Sequence, residues 1–248
     1  MRRAALFDVD GVLVDSKAAQ LAALAGFATS ALGRRINVAN LPPWAATAPR
    51  AQVLAELGLY GAINEDGWDA ATATASLDAV VFPFVRDTLK KLRAEGLATG
   101  IVTRRDHRRL GWLLPMDILD LMETAVCYED ATPKPAPDGL HLALHRLGIA
   151  PSAAVFVGDT DADIYAARAA GVTSVGAGWG FTEPEALAGF GADLILLDPA
   201  ELTDVVFALL HAGNPTGTAS DLDVRSVTLA GAAGGAAHTG STRGLRHQ

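Results

Sequence analysis

An α/β fold, with a Rossmann-like parallel sheet core and an inserted α-helical cap subdomain, is predicted for this chain of 248 residues by three observations. From Phe82 onward, strand-like and helix-like segments alternate regularly, the pattern of repeated crossovers in a parallel sheet with helices on both faces. The run Ala4 to Val9, apolar until it meets an acid residue, suits a fully buried parallel strand whose C-terminal end opens into a polar loop. Residues 16 to 81 break the alternation with helical segments only, as an insertion would. The expected organisation is therefore a core of residues 1–15 and 82–213, a helical cap of residues 16–81, and a disordered tail of residues 214–248.

Each element has its own signal. After Asp15 and Ser16, a plausible N-cap, Leu21, Leu24, Ala25, Ala28 and Leu32 fall on one stripe and Gly33 ends the helix. Residues 34–48, with Pro42 and Pro43, read as loop, and 50–58 and 66–78 as helix. Val85 to Glu95 is a helix closed by Gly96, Leu97 to Val102 a strand, Asp106 to Leu114 a helix and Ala125 to Tyr128 a strand. Asp138 to Leu147 is a helix stopped by Gly148, then come strand Ala153 to Val157 and helix Asp161 to Ala170 before Gly171. Strands Val172 to Val175 and Leu194 to Leu197 and helix Pro199 to His211 complete the core. The tail from about Asn214 is rich in Gly, Ala, Thr and Ser without periodicity.

Composition excludes several classes. Half the residues are apolar (50%), enough to bury a proper core. The net charge of -8 and the lack of a dense Lys/Arg run remove the footprint of a nucleic-acid or anionic-membrane binder. Asp8 and Asp10 interrupt the first apolar run and no small-residue cleavage site follows, so no signal peptide is expected. The most apolar long segment, Ala18 to Leu32, is too short for a membrane span. The single cysteine, Cys127, cannot form an internal disulfide, in keeping with a cytoplasmic setting. No feature fixes the oligomeric state.

Ligands of an open parallel sheet bind beyond the C-terminal ends of its strands, and four such loops carry the unusual residues. They hold Asp8 and Asp10, then Thr103, then Lys134 in TPKPAPDG, and finally Asp159 and Asp163 in GDTDADI. A carboxylate and a phosphate dianion repel, so Asp8 can attack phosphorus only with a cation between them; Mg2+ on hard oxygens of Asp8 and Asp159 would supply it. The attack would give an aspartyl-phosphate, splitting one hydrolysis into two displacements. Asp10, two residues on, could protonate the leaving oxygen and later deprotonate water. Alternate residues of a strand face opposite ways, so the chain must curl after Val9, a freedom Gly11 supplies. Thr103 can donate to phosphoryl oxygens, and Lys134 can neutralise both the phosphoryl group and Asp8. Taken singly, Thr103 and Asp163 read as ordinary structural residues, Thr103 as a helix cap, and KPAPD as a stiff loop and Asp159 with Asp161 as caps are open alternatives; taken in order, each at a strand end, they point to one site.

FDVDGVLVD, IVTRR, KPAPD and VGDTDADIYAARAAG resemble, in that order, the four motifs of haloacid dehalogenase-like hydrolases, over residues 4 to about 211. The segment GAGWGFTEPEALAGFGADLIL resembles the phosphoglycolate phosphatase-like branch. The resemblance implies a Mg2+-dependent phosphatase acting on a small phosphorylated metabolite. Asp8 would be nucleophile and metal ligand, Asp10 acid/base and ligand through its carbonyl, Thr103 and Lys134 phosphate binders, Asp159 a metal ligand and Asp163 a support of the metal site. The helical insertion would match that family's first cap type. Arg104 stands where Asn or Ser is usual and is a candidate substrate contact, as is Arg50 in APRAQVLAELG. Related beta-phosphoglucomutases carry a His where Gln20 stands, which disfavours a sugar phosphomutase; a catalytically silent binding protein of the same fold is the remaining alternative.

Overall fold

A computed structural model of the protein describes residues 2–61, 63–211 and 227–228. The chain runs β1 (Ala4–Phe7), β2 (Val14–Asp15), α1 (Lys17–Leu32), α2 (Arg50–Glu56), α3 (Glu65–Ser76), β3 (Val80–Val81), α4 (Val85–Ala94), β4 (Ala98–Val102), α5 (His107–Leu113), α6 (Met116–Leu119) and β5 (Thr124–Val126). It continues through α7 (Asp138–Leu147), β6 (Ala154–Gly158), α8 (Asp161–Ala170), β7 (Thr173–Ala177), α9 (Pro184–Phe190), β8 (Leu194–Leu196), α10 (Leu202–His211) and β9 (Val227–Thr228).

The main sheet has the order β5-β4-β1-β6-β7-β8-β9, parallel from β5 to β8, so the chain winds outward in both directions from β1. Every residue of β1 is buried, and its pleat divides them. Ala5 and Phe7 join a cluster with Leu89, Leu92, Val205 and Val206 of α4 and α10. Ala4 and Leu6 face the other way, onto Leu140 and Leu144 of α7 and Ala166 and Ala167 of α8. An apolar strand with no polar face is thus explained by two helical layers, and each fully buried large side chain contributes about 1.5–3 kcal/mol.

Residues 16–79 lie between two short strands, β2 and β3, which pair antiparallel with Val14 opposite Val81 and Asp15 opposite Val80. The helices-only reading of residues 16–81 misses this ribbon, because two residues have no periodicity to read. Between the strands, α1, α2 and α3 share their own apolar cluster of Leu24, Phe27, Ala28, Val53 and Leu54, with Trp68 packed against it. Phe27 and Trp68 meet edge to face, centroids 5.7 Å apart.

Three further differences have local causes. Ser16 occupies the N-cap position of α1 without a capping bond, since its hydroxyl is used elsewhere. Strand β5 ends at Val126, two residues short of the expected end, and Tyr128 instead donates its backbone N–H to Arg105 O at 2.9 Å. Helix α9 is absent from the expected elements although Pro184 opens it and Gly191, left-handed at φ 86°, closes it. The expectation of disorder over 214–248 falls largely outside the described residues; within it, β9 runs antiparallel to β8. Among the described residues no helix is long and apolar enough to cross a membrane.

Candidate active site

The order reversal at β1 decides where a site can form. Phe7 is level with Ile101 of β4 on one side and Val157 of β6 on the other, so Asp8, Thr103 and Asp159 emerge side by side from adjacent strands. The Asp8 N–H donates to Val157 O at 2.9 Å, and the Thr103 N–H to Val126 O at 3.0 Å, which fixes both residues to the sheet edge. Beyond Asp8 the chain curls as expected: the N–H groups of Leu13 and Val14 both donate to Val9 O at 2.9 Å, around Gly11 at φ 77°. A Cβ at Gly11 would lie 2.0 Å from Asp159 Oδ2, so no other residue fits.

Lys134 reaches this edge from the loop before α7 and is 6% exposed. Its ammonium lies 2.9 Å from Asp8 Oδ1 and donates to Asp163 Oδ1 at 2.5 Å. Burial would lower Lys134, but the charges of Asp163 and Asp8 outweigh it and hold its pKa above the ordinary value. Burial, opposed by Lys134 and reinforced by the charges of Asp163 and Asp10, raises the Asp8 carboxyl to about 6. Asp163 goes the other way: Lys134 outweighs burial and holds its carboxyl low. Both Asp163 oxygens are engaged. Oδ2 accepts from Thr160 Oγ1 at 2.6 Å and from the backbone N–H groups of Thr160 and Asp159 at 3.0 and 3.2 Å. Thr160 is therefore the N-cap of α8, with Asp163 closing a capping box; the T-x-x-D pattern was in the sequence, while Asp159 and Asp161 are not the cap.

Asp159 is fully buried. Its Oδ2 accepts from the Phe181 N–H at 2.7 Å, whereas Oδ1 is buried with no partner. Burial first, then the charges of Asp163 and Asp8, raise its carboxyl well above the usual range. Carboxylate oxygens of Asp8, Asp159 and Asp163 lie within 4.8 Å of one another. An orphaned carboxylate oxygen among acid neighbours is expensive unless a cation completes it, and an all-oxygen donor set suits Mg2+. The residues present fit that ion. Gly180, where a Cβ would sit 2.4 Å from Asp159 Cβ, and Phe181 complete this cradle; both lie in the GAGWGFTE segment that carries the resemblance, where neither has a site role in the sequence alone.

Asp10 is clamped. Arg105 donates Nε to Oδ2 and Nη2 to Oδ1, both at 2.7 Å, and Ser16 Oγ donates to Oδ1 at 2.5 Å. Behind Ser16, Gln20 Nε2 donates to its hydroxyl at 3.4 Å. Burial alone would raise Asp10, but the Arg105 charge and hydrogen bonds overcome it and hold the carboxyl below its ordinary value. Arg105 was missed in the sequence, where the IVTRR run drew attention to Arg104. Arg104 is exposed, lines the same cleft, and makes no ion pair among the described residues.

The strand-end loops form the floor of a cavity of about 420 Å3, roofed by α1, α3 and the loop before α2. Asp8, Asp10, Thr103, Arg104, Lys134 and Asp159 line it, and Arg50 lines its roof. Arg50 stacks on Trp68, 5.1 Å to the ring centre, and pairs with Glu65 at 2.6 Å. Arg109 of α5 crosses to α3, donating Nε to Asp69 Oδ1 at 3.0 Å and approaching Glu65 at 3.3 Å. The sequence-derived residues thus converge, Asp163 standing just behind the lining.

A family model described as "Hydrolase: haloacid dehalogenase-like hydrolase" matches residues 2–171. The chain is 31% identical over 215 residues to a phosphoglycolate phosphatase of Pseudomonas fluorescens, covering 81% of this chain and 78% of that one. A phosphoglycolate phosphatase of Pseudomonas putida is 33% identical over 216 residues, covering 79% and 76%. A haloacid dehalogenase-like family protein of Streptococcus pneumoniae superposes with TM-score 0.69 at 25% identity, covering 82% of this chain and 98% of that structure. A HAD family hydrolase of Deinococcus radiodurans, solved with bound phosphate and sodium, gives 0.66 at 25% identity, covering 84% and 96%.

Proposed function

The chain belongs to the haloacid dehalogenase-like hydrolases and is a phosphatase, and on that premise we propose that it hydrolyses a small phosphate monoester with Mg2+, through an aspartyl-phosphate on Asp8. The observation that carries this reading is the buried Asp8 carboxylate, held by Lys134 within 4.8 Å of the Asp159 carboxylate, whose Oδ1 has no partner. The ion would be held by Asp8, Asp159 and the backbone carbonyl of Asp10. When bound it supplies positive charge between two anions that otherwise repel. Asp163, with both oxygens engaged, supports the site by fixing Lys134 and the start of α8.

In the first half-reaction an Asp8 carboxylate oxygen bonds to phosphorus as the bond to the ester oxygen breaks. Lys134, the Thr103 hydroxyl and Arg104 take up the negative charge of the phosphoryl oxygens. Asp10 gives the departing alcohol a proton, for which its carboxyl must first be protonated against the hold of Arg105. In the second half-reaction Asp10 takes a proton from water, which attacks phosphorus, frees inorganic phosphate and restores Asp8. The roof helices exclude bulk water meanwhile. The phosphate in the Deinococcus radiodurans relative is in keeping with an anion site on this fold. A cytoplasmic setting belongs to the same reading, with Cys127 serving as a buried thiol pushed up to about 12 by burial.

Phosphate release from a panel of phosphorylated metabolites is expected to stop with a chelator and return with Mg2+. Saturating Mg2+ at a hundredfold its Kd would stabilise the fold by about 2.7 kcal/mol, seen as a rise in Tm. In Asp159→Asn both effects are expected to vanish; a chelator-insensitive phosphatase would refute the metal assignment.

Arg105 sets when Asp10 can act. Replacing it by Met leaves burial opposed only by the Ser16 and Gln20 hydrogen bonds, so the Asp10 carboxyl rises in pKa. Because Asp10 must be ionised to activate water, the acid limb of the kcat profile is expected to move up by about one pH unit or more in Arg105→Met. An unmoved limb would remove Asp10 from the base role.

A further inference from the structure

Outside the phosphatase site, the described residues hold one other convergence of three side chains able to ligate a metal. A ring nitrogen of His107, Cys127 Sγ and a carboxylate oxygen of Asp130 all lie within 4.8 Å of one another. They come from the start of α5, the residue after β5 and the loop that follows it, so the fold and not a local motif brings them together. Hydrogen bonds to the backbone hold each in place. The Cys127 N–H donates to Asp130 Oδ2 at 2.8 Å, the Asp130 N–H to Cys127 O at 3.1 Å, and the His107 N–H to Glu129 Oε1 at 2.9 Å. The Tyr128 N–H, on Arg105 O at 2.9 Å, ties the two segments to each other.

The donor set decides which ion fits. Imidazole, thiol and carboxylate are the nitrogen, sulfur and oxygen donors of a zinc site with three protein ligands and one open position, whereas Mg2+ takes oxygens. Tetrahedral bonds of about 2.0–2.3 Å put ligand atoms roughly 3.3–3.7 Å apart, so an ion would draw this trio in by about 1 Å at the widest. His107 can supply that movement. Its side chain is 52% exposed and its Nε2 is already 2.9 Å from Asp130 Oδ2, while Cys127 is buried. The same exposure gives an ion its way in and leaves the fourth position to water. Charge favours a cation as well. Asp130, Glu129 and Asp106 surround the thiol, opposed by Arg146, which reaches Asp130 Oδ1 at 3.6 Å. Burial and those acids push the thiol up to about 12, so it keeps its proton until a cation replaces it.

We propose that His107, Cys127 and Asp130 form a second metal site, selective for a borderline-soft divalent cation of the Zn2+ class and separate from the all-oxygen Mg2+ site. On binding, the Cys127 S–H bond breaks, its proton leaves to solvent and the sulfur bonds the cation. The His107–Asp130 hydrogen bond gives way, the ring proton moving to the nitrogen that does not bind, and one Asp130 oxygen and a water complete four bonds. No electron is transferred. Arg105 lies two residues before His107 and is held by Tyr128, next to Cys127, so the ion would brace the segment that presents Arg105 to Asp10. The inference stands apart from the phosphatase reading and does not depend on it.

The probe is Co2+, added to reduced, chelator-treated protein in excess Mg2+, which keeps the oxygen site filled. One equivalent is expected to give a thiolate-to-cobalt charge-transfer band together with the strong visible bands of a tetrahedral ion, and Zn2+ to bleach both, since it binds such sites more tightly. Cys127→Ser should abolish the charge-transfer band. His107→Ala and Asp130→Asn should each weaken binding by about a hundredfold, and Zn2+ should raise Tm in the wild type but not, at the same concentration, in His107→Ala. Asp159→Asn should leave the cobalt titration unchanged, which separates the two sites. Absence of the charge-transfer band overturns the proposal and leaves a His–Asp hydrogen bond beside a core cysteine. A band that persists with unchanged affinity in both His107→Ala and Asp130→Asn overturns it too, since the thiol then binds alone. Should Cys127→Ser fail to fold, these two variants decide the matter, His107 being exposed.

Discussion

Asp8→Asn is expected to fold normally and to release no measurable phosphate from any ester, a loss of about 10,000-fold or more in kcat, as for removal of a covalent nucleophile. No neighbour can take over. Asp10 is held by Arg105 and Ser16, Asp163 has both oxygens engaged, and Asp159 is fully buried behind Gly11. Stability should move in the opposite direction. The Asp8 carboxyl is raised to about 6 in the folded protein against 3.8 for an ordinary aspartate, so the folded state binds the extra proton between those values. The sign follows: this group favours folding below its unfolded pKa, and that advantage is lost as pH rises through about 6. A neutral amide escapes the loss. Metal-free Asp8→Asn should therefore be more stable than the wild type at pH 7 by about 1–3 kcal/mol, with the difference closing toward pH 4. Melting curves without Mg2+ at the two pH values, beside phosphate assays with it, check both halves; residual turnover that survives repurification would displace Asp8 as nucleophile.

Lys134→Met should be the most destabilising single change at the site. The side chain is 3% exposed and lies between Asp8 and Asp163, with Asp159 adjacent. Removing the ammonium leaves buried carboxylates uncompensated, a cost of about 3–5 kcal/mol and roughly 6–20 °C in Tm for a chain of this size. In the wild type Asp163 is held low, so its contribution is present at neutral pH and disappears only as pH falls through that depressed pKa. In the variant the strongest opposition to burial is gone, leaving mainly the hydrogen bonds from Thr160 and the backbone, and the carboxylates take up protons more readily. The deficit should then be largest near pH 7 and shrink toward pH 4. A deficit independent of pH would mean that packing of the lysine stem, and not its charge, is what the fold requires.

What the sequence disclosed and what it withheld divide along a physical line. Asp8, Lys134 and Asp159 were legible because parallel strands put their C-terminal loops on one edge, and these loops carried charged residues in otherwise apolar surroundings. Gly11 was legible because the chain had to turn there. Arg105 was not, since which of two adjacent arginines faces Asp10 depends on backbone angles after β4 that no periodicity reports. Ser16 looked like a helix cap, and only the proximity of Asp10 redirects its hydroxyl. The β2–β3 ribbon is too short to announce itself, and the meeting of His107, Cys127 and Asp130 is a property of three-dimensional surroundings alone. Helix α9, by contrast, had both its opening proline and closing glycine in plain view.

The pairing of Asp15 with Val80 means that the roof departs from the floor and rejoins it at almost the same point. Everything between leaves and returns through this one ribbon, and is tied to the floor besides by Arg109 on Asp69 and Ser16 on Asp10. A short turn could bridge that gap and leave the central strands, Asp8, Asp159 and Lys134 in place, but it would take the Ser16 hydroxyl away from Asp10, so the roof shares in tuning the acid/base as well as in shaping the cavity.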